Sequence, residues 1–307
     1  MKTLNAIVLA ALTAAVFTTG CSNDDLDIKV DTNVKVDTGD IKVDIGDINV
    51  DLDDIAKDYK KDLFTQMDFI FDTDKNVSEV STDISVGNIT MEYSRDGKTG
   101  ISLEYTVYAD TDEICNEVKS HVNATTETNG SKMEIKLIED ESGENIDKWL
   151  KKNIPDCRVE YDMYITVPES VTSFDLKEAV GNLTLCGMNG RFTTCVDVGN
   201  ITCTDLELTK KSKIECATGN ITMSDCLYKA DTDITADTGN IILGLPKSGS
   251  DGADLKATTA VGDIKLKGSG NYSVTDEKND FTAHSMTVNA ENCNIALKTN
   301  CGDIITE

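Results

Sequence analysis

Apolar and polar positions alternate through the C-terminal half of the chain in short runs. Each run is broken by the same step, a glycine followed by Asn or Asp and then Ile or Leu. The step reads Val180-Gly181-Asn182-Leu183, Val198-Gly199-Asn200-Ile201, Thr218-Gly219-Asn220-Ile221, Thr238-Gly239-Asn240-Ile241, Val261-Gly262-Asp263-Ile264 and Cys301-Gly302-Asp303-Ile304. The glycines are 18, 20, 20, 23 and 40 residues apart, and the last interval reads as two periods with one degenerate copy between them. A period near 20 built from strand-like alternation predicts a mainly β fold, a β-solenoid (β-helix) of about 20-residue coils in which each coil stacks on the one before. At the strand spacing, about six or seven coils make a rod on the order of 30 Å long.

Alignment on the glycine predicts the inward positions. One residue before it lie Val180, Val198, Thr218, Thr238 and Val261, and five before it Leu176, Thr194, Ile214, Ile234 and Ala257. Two after it lie Leu183, Ile201, Ile221, Ile241 and Ile264, and four after it Leu185, Cys203, Met223, Leu243 and Leu266. The glycine is expected at a corner, because it alone takes positive φ without steric cost. Asn or Asp always follows, which suits a bend and allows a ladder of side chains along the corner. The structural-corner residues are therefore Gly181, Gly199, Gly219, Gly239, Gly262 and Gly302, with Gly87 added by Val86-Gly87-Asn88-Ile89 far upstream.

Upstream of the repeats the pattern changes twice. From Asp24 to Asp54 a shorter beat alternates strictly, as in Ile28-Lys29-Val30-Asp31 and Ile41-Lys42-Val43-Asp44. Two readings of it are open: an extended, self-repelling tether, which is favoured, and short strands added to the rod. Residues 55–68 are expected to form a short helix. From Val80 an α+β region begins. A hairpin of 84–93 with 101–108 is expected around Arg95-Asp96-Gly97-Lys98, with helices at 112–122 and 144–152 and strands at 132–138 and 157–167. This region is expected to seal the open end of the first coil. The expected domains are a signal peptide over 1–20, the acidic segment and short helix over 21–67, an α+β cap with the first coil over 68–170, and the solenoid over 171–307.

The N-terminus changes the picture of where the protein lives. Lys2 precedes an apolar stretch from Ala6 to Phe17, too short to span a bilayer, and Thr18-Thr19-Gly20-Cys21 follows. The ending resembles a bacterial lipobox, with Thr18 departing from the usual Leu. Cys21 is the expected lipidation site, so the protein is expected to hang from a bacterial membrane outside the cytoplasm. Beside a lipobox, the N-x-T sequences at Asn88, Asn182, Asn200 and Asn220 are by-products of the repeat.

Charge and cysteine narrow the partners. With 55 acidic and 29 basic residues the formal charge is −26, which excludes nucleic acid as a partner. Of ten cysteines, Cys21 is assigned to lipid. Cys203 and Cys226 fall on positions that other repeats fill with Leu and Met, so they read as core filler, while Cys115 and Cys157 lie outside the repeats and could pair. No cysteine spacing suits zinc, and the repeated aspartates match neither an EF-hand loop nor the calcium β-helix repeat. No metal and no cofactor is expected.

Taken together, the Gly87 strand, the run Val159-Glu160-Tyr161-Asp162-Met163-Tyr164-Ile165-Thr166-Val167-Pro168 and the following G-N/D-I copies resemble the putative-adhesin family. That is a bacterial family of unknown function whose β-solenoids sit on exported or membrane-anchored proteins. The resemblance runs from about Asp68 to Glu307 and implies a cell-envelope role, with envelope-stress sensing among the roles linked to members. It supplies no catalytic residues. The acidic N-terminal repeat and the abundance of cysteine are not features it implies.

No nucleophile motif, phosphate loop or dinucleotide fingerprint is present. His121 and His284 read as surface residues. A carbohydrate-active β-helix would need carboxylates and aromatic rings gathered in a groove, yet aromatics are 5% of residues and Trp149, the one tryptophan, lies outside the repeats. The expectation is a non-enzymatic, lipid-anchored envelope protein with an envelope protein or glycan as partner. A self-assembling surface component is the alternative, and an enzyme the less favoured one. Because the final copy stops within a strand, self-association at a C-terminal edge is also expected.

Overall fold

A computed structural model describes residues 34–37, 42–45, 59–244, 253–266, 274–279, 283–288 and 293–306. The protein is mainly β, and most of its strands run parallel in register. In chain order the N-terminal part holds β1 (Val34–Asp37), β2 (Lys42–Ile45), β3 (Lys61–Phe71), β4 (Glu79–Tyr93), β5 (Thr99–Ala109), α1 (Asp112–His121), β6 (Val122–Asn129), β7 (Lys132–Glu139), α2 (Ile146–Asn153) and β8 (Cys157–Val167). Both helices begin where the sequence supplies a cap. The Thr111 side chain accepts from the N–H of Ile114, and that of Asn145 from the N–H of Lys148.

β4 is the first rung of the stack. It bends at Gly87, so its first half pairs with Ser173–Val180 and its second half with Leu183–Cys186. Each later rung repeats this, with one strand before its corner glycine and one after. After the corner, Leu183–Cys186 pairs with Ile201–Thr204, then Ile221–Ser224, then Ile241–Leu243. Before it, Ser173–Val180 pairs with Asn189–Val198, then Ser212–Thr218, then Thr232–Thr238. A third, narrow face is made by two-residue pairings of Asn189–Gly190 with Glu207–Leu208 and of that strand with Leu227–Tyr228.

Beyond Gly239 the stacking order departs from the sequence order. Thr232–Thr238 pairs with Cys293–Cys301, which pairs in turn with Ala253–Val261. Likewise Ile241–Leu243 pairs with Ile304–Thr306, which pairs with Ile264–Leu266. The Gly302 rung is therefore inserted between the Gly239 and Gly262 rungs, and the expectation of an open C-terminal edge is corrected, because Ile304–Thr306 has a strand on both sides. The degenerate copy is not a rung. Val274–Asn279 and Ala283–Val288, which carries His284, form an antiparallel pair laid against Ala253–Val261.

The predicted inward columns are buried. Leu183, Ile201, Ile221, Ile241 and Ile304 are at most 1% exposed, while Ile264 on the terminal rung is only partly buried because a neighbour covers it on one side. Residues just before the glycines form a small cluster of their own, Val86, Ala179, Val180 and Val198, separate from the main core. Phe174 and Phe192 stack at 4.9 Å inside the second and third rungs.

Two N-terminal expectations are corrected. Residues 61–68, expected as helix, belong to β3, while 55–58 lie outside the described residues. Leu63, Phe64 and Met67 mimic a helical stripe, but Leu63, Thr65, Met67, Phe69 and Phe71 keep the strand period and pack inward. β4 and β5 do not form a hairpin. β8 lies between them, parallel to β4 and antiparallel to β5, and β3 covers the far side of β5. Asp96-Gly97 reverses the chain, but a reversal does not make its flanking strands neighbours. Within the acidic segment, β1 and β2 pair antiparallel as a two-stranded sheet of their own. The remainder of 24–54 lies outside the described residues. On the first rung, β7 and β8 continue its two halves as sheet neighbours.

Candidate functional site: the stacked corner

The corner is built by a backbone that only glycine can follow. Gly87, Gly181, Gly199, Gly219, Gly239, Gly262 and Gly302 all have φ between 143° and 150°, a region essentially closed to residues with a Cβ. Stacking adds a second constraint. A Cβ on Gly219 would stand 1.5 Å from the carbonyl oxygen of Gly199, and the same clash recurs at each later rung. The N–H of Gly219 meanwhile donates to Thr238 in the next rung at 2.9 Å.

The residue after each glycine supplies a continuous ladder. The side-chain Oδ1 of one rung accepts from the backbone N–H of the next, through Asn88, Asn182, Asn200, Asn220, Asn240, Asp303 and Asp263, at 2.8–3.0 Å. Asn88 itself donates to Asp162 of β8 at 2.6 Å, which ties the ladder to the N-terminal strands. Its order, with Asp303 between Asn240 and Asp263, follows the inserted stacking rather than the sequence. Each oxygen from Asn88 to Asp303 is engaged by its neighbour, so this corner is a seam. Asp303 also meets Lys265 at 3.2 Å.

Two features of the corner were missed in the sequence. Three residues before each glycine lies a further inward column, Ile84, Glu178, Val196, Cys216, Ala236, Thr299 and Thr259, all at most 3% exposed. Its mixed chemistry hides it from a hydrophobic pattern. Six residues after the glycine a second corner uses left-handed backbone at Gly187, Asp205 and Asp225, with φ of 61°, 56° and 54°. Tolerance of that geometry by Asp and Gly is the one signal available.

No family model matches this sequence and no curated protein matches it. Solved structures similar to it include a putative cell adhesion protein from Clostridium sporogenes, with 12% identity, a TM-score of 0.33, and 79% of this chain and 99% of that one covered. Another is a putative adhesin from Bacteroides fragilis, with 15% identity, a TM-score of 0.32 and coverage of 81% and 98%. A third is a putative lipid binding protein from Parabacteroides distasonis, with 10% identity, a TM-score of 0.23 and coverage of 81% and 97%. These likenesses are too distant to carry an argument.

The remaining candidate chemistry is dispersed. Cys21 lies outside the described residues. Among the described residues no group of three or more His, Cys, Asp or Glu is gathered as a metal site, and no helix is long and apolar enough to cross a membrane. Cys115 and Cys157, whose pairing the sequence left open, are free thiols; burial pushes the Cys157 thiol up to about 11. Cys203 and Cys226 are free and fully buried, and burial raises both thiols, that of Cys226 to about 11. Thiols held so far from thiolate are poor nucleophiles. Cys203→Val and Cys226→Leu should each cost less than about 1.5 kcal/mol. Chemical denaturation checks this, and mass spectrometry without reductant should find both wild-type residues unpaired.

His121, expected as a surface residue, is half-buried. Its Nδ1 lies 2.7 Å from Glu139 Oε1 and its ring 4.3 Å from that of Trp149. The Glu139 side chain is 2% exposed. Hydrogen bonds from Ser142 foremost, and from His121 and the Glu141 N–H, hold its carboxyl down at about 2 against the opposing effect of burial. The cluster pins the end of α1 to the turn after β7 and to α2. It acts as a clasp between elements.

Proposed function

We propose that the chain is a lipid-anchored protein of the bacterial cell envelope that displays a β-solenoid for binding, adhesion or envelope-stress sensing, without enzymatic activity. The observation that carries this reading is the continuous ladder from Asp162 to Asp263. It engages the corner oxygens rung by rung, beside an interior filled by Leu, Ile, Met, Phe and buried Cys. A seam and a filled core suit a rigid rod whose recognition lies on its outer faces, with an envelope protein or glycan as partner. The solenoid runs over 171–307, preceded by an α+β cap over 68–170 with the first rung.

The address rests on Thr18-Thr19-Gly20-Cys21. Cys21→Ala should move the protein from the membrane fraction to the medium or the periplasm and abolish the gel shift that accompanies lipidation. Unchanged partition and mobility would overturn the anchored reading.

A further inference from the structure

The joint between the first two rungs holds a carboxyl group where three other rungs keep a neutral donor. In three rungs the side chain three residues before the glycine caps the carbonyl oxygen of the glycine one rung back. Thr259 Oγ1 donates to Gly302 O and Thr299 Oγ1 to Gly239 O, both at 3.0 Å, and Cys216 Sγ to Gly199 O at 3.2 Å. In the second rung the equivalent residue is Glu178, and the glycine one rung back is Gly87.

Glu178 is 2% exposed, and neither carboxyl oxygen receives a hydrogen bond. Its register partners are apolar, Ile84 on β4 and Val196 on the following rung. Lys177 on its own strand turns to solvent, and the charged group whose field reaches it is the Asp162 carboxylate of β8. Its Oε1 and the carbonyl oxygen of Gly87 crowd one point, 2.2 Å and 1.4 Å from where a Cβ on Gly181 would stand. The two oxygens are thus no further apart than those lengths laid end to end. Two bare acceptors that close in a dry corner repel, whereas a hydrogen between them makes a bond.

We infer that Glu178 is carried in the folded protein as the neutral acid and donates its proton to the carbonyl oxygen of Gly87, so that the joint between the N-terminal strands and the stack is a latch that closes with a proton bound. The alternative, a carboxylate, would face a carbonyl and Asp162 with no cation beside it among the described residues. Burial first, and Asp162 second, push the carboxyl well above its ordinary value of 4.5. The native state then binds the extra proton. The stabilisation is complete below the unfolded value and is lost as pH rises toward the folded one. Ionisation loosens the pairing of β4 with Ser173–Val180, which on that face joins the N-terminal part to the later rungs.

The test is thermal unfolding of the full chain between about pH 5 and pH 9, with Glu178→Thr and Glu178→Gln beside the wild type. Thr is the residue that two other rungs use at this position. The wild-type midpoint should fall by about 5 °C more than that of Glu178→Thr over the range. Infrared spectra at neutral pH should show the C=O stretch of a protonated carboxylic acid in the wild type that is missing from Glu178→Gln. Parallel pH slopes for wild type and Glu178→Thr would overturn the latch. If the variants fail to fold, the wild-type spectrum decides: absence of a protonated carboxyl at neutral pH overturns it, and a band that titrates away together with the melting midpoint supports it.

Discussion

Gly219→Val is expected to destabilise the protein by about 4 kcal/mol or more, while Ser224→Ala, five residues on in the same rung, stays within about 0.5 kcal/mol. Two penalties coincide at Gly219. Its φ of 149° is closed to a β-branched residue. The new Cβ would also fall 1.5 Å from the Gly199 carbonyl oxygen and 3.1 Å from Cys216 Sγ. Relief requires the rung to move away from the Gly199 rung, which breaks the bond from the Gly199 N–H to Thr218 and the ladder bond from the Asn220 N–H to Asn200, and presses the rung against that of Gly239. The misfit is therefore shared by three rungs. Denaturation followed by far-ultraviolet circular dichroism measures it. Equal midpoint shifts for the two variants would mean that Gly219 does not hold a corner.

Ile304→Asp and Ile264→Asp form the second comparison, and they test the order of stacking. Both residues occupy the same repeat position, two after the glycine. Stacked in sequence order, Ile304 would lie on the terminal rung and Ile264 inside. The structure has the reverse: Ile304 is fully buried between Ile241 and Ile264, and Ile264 is half-covered. An aspartate at 304 must lose its water with Asp303 beside it and no cation within the core, at about 4 kcal/mol. At 264 one side stays open, and about 1–2 kcal/mol is expected. If Ile264→Asp proves the more damaging in urea denaturation, the inserted order is wrong.

Much of the stack was legible because its constraints fall on single residue types. Only glycine satisfies φ near +148° with a carbonyl oxygen against its Cα, so Gly87 could be aligned with copies some ninety residues away. Columns that are uniformly apolar, such as Leu183 to Ile241, followed from alternation. What escaped was encoded by geometry alone. The column containing Glu178, Cys216 and Thr299 is fixed by its place in the bend, and its residues share no hydropathy. The Gly262 and Gly302 copies carry the same pattern, so nothing in either one fixes which docks on the Gly239 rung; their common Asp in place of Asn sets the pair apart without ordering it. β3 and the neighbours of β8 were missed for a related reason, since local spacing cannot say which distant strand will supply the hydrogen bonds.

The inserted rung also bears on assembly. Ribosomes make residues 253–266 before residues 293–306, yet the later segment separates the earlier one from Thr232–Thr238 and Ile241–Leu243. Accretion in order of synthesis therefore halts at the Gly239 rung. The Gly262 segment has to wait, or be prised off a premature dock, until its wedge arrives. Maturation of this end is a keystone event, in which the last segment made is set between two that precede it.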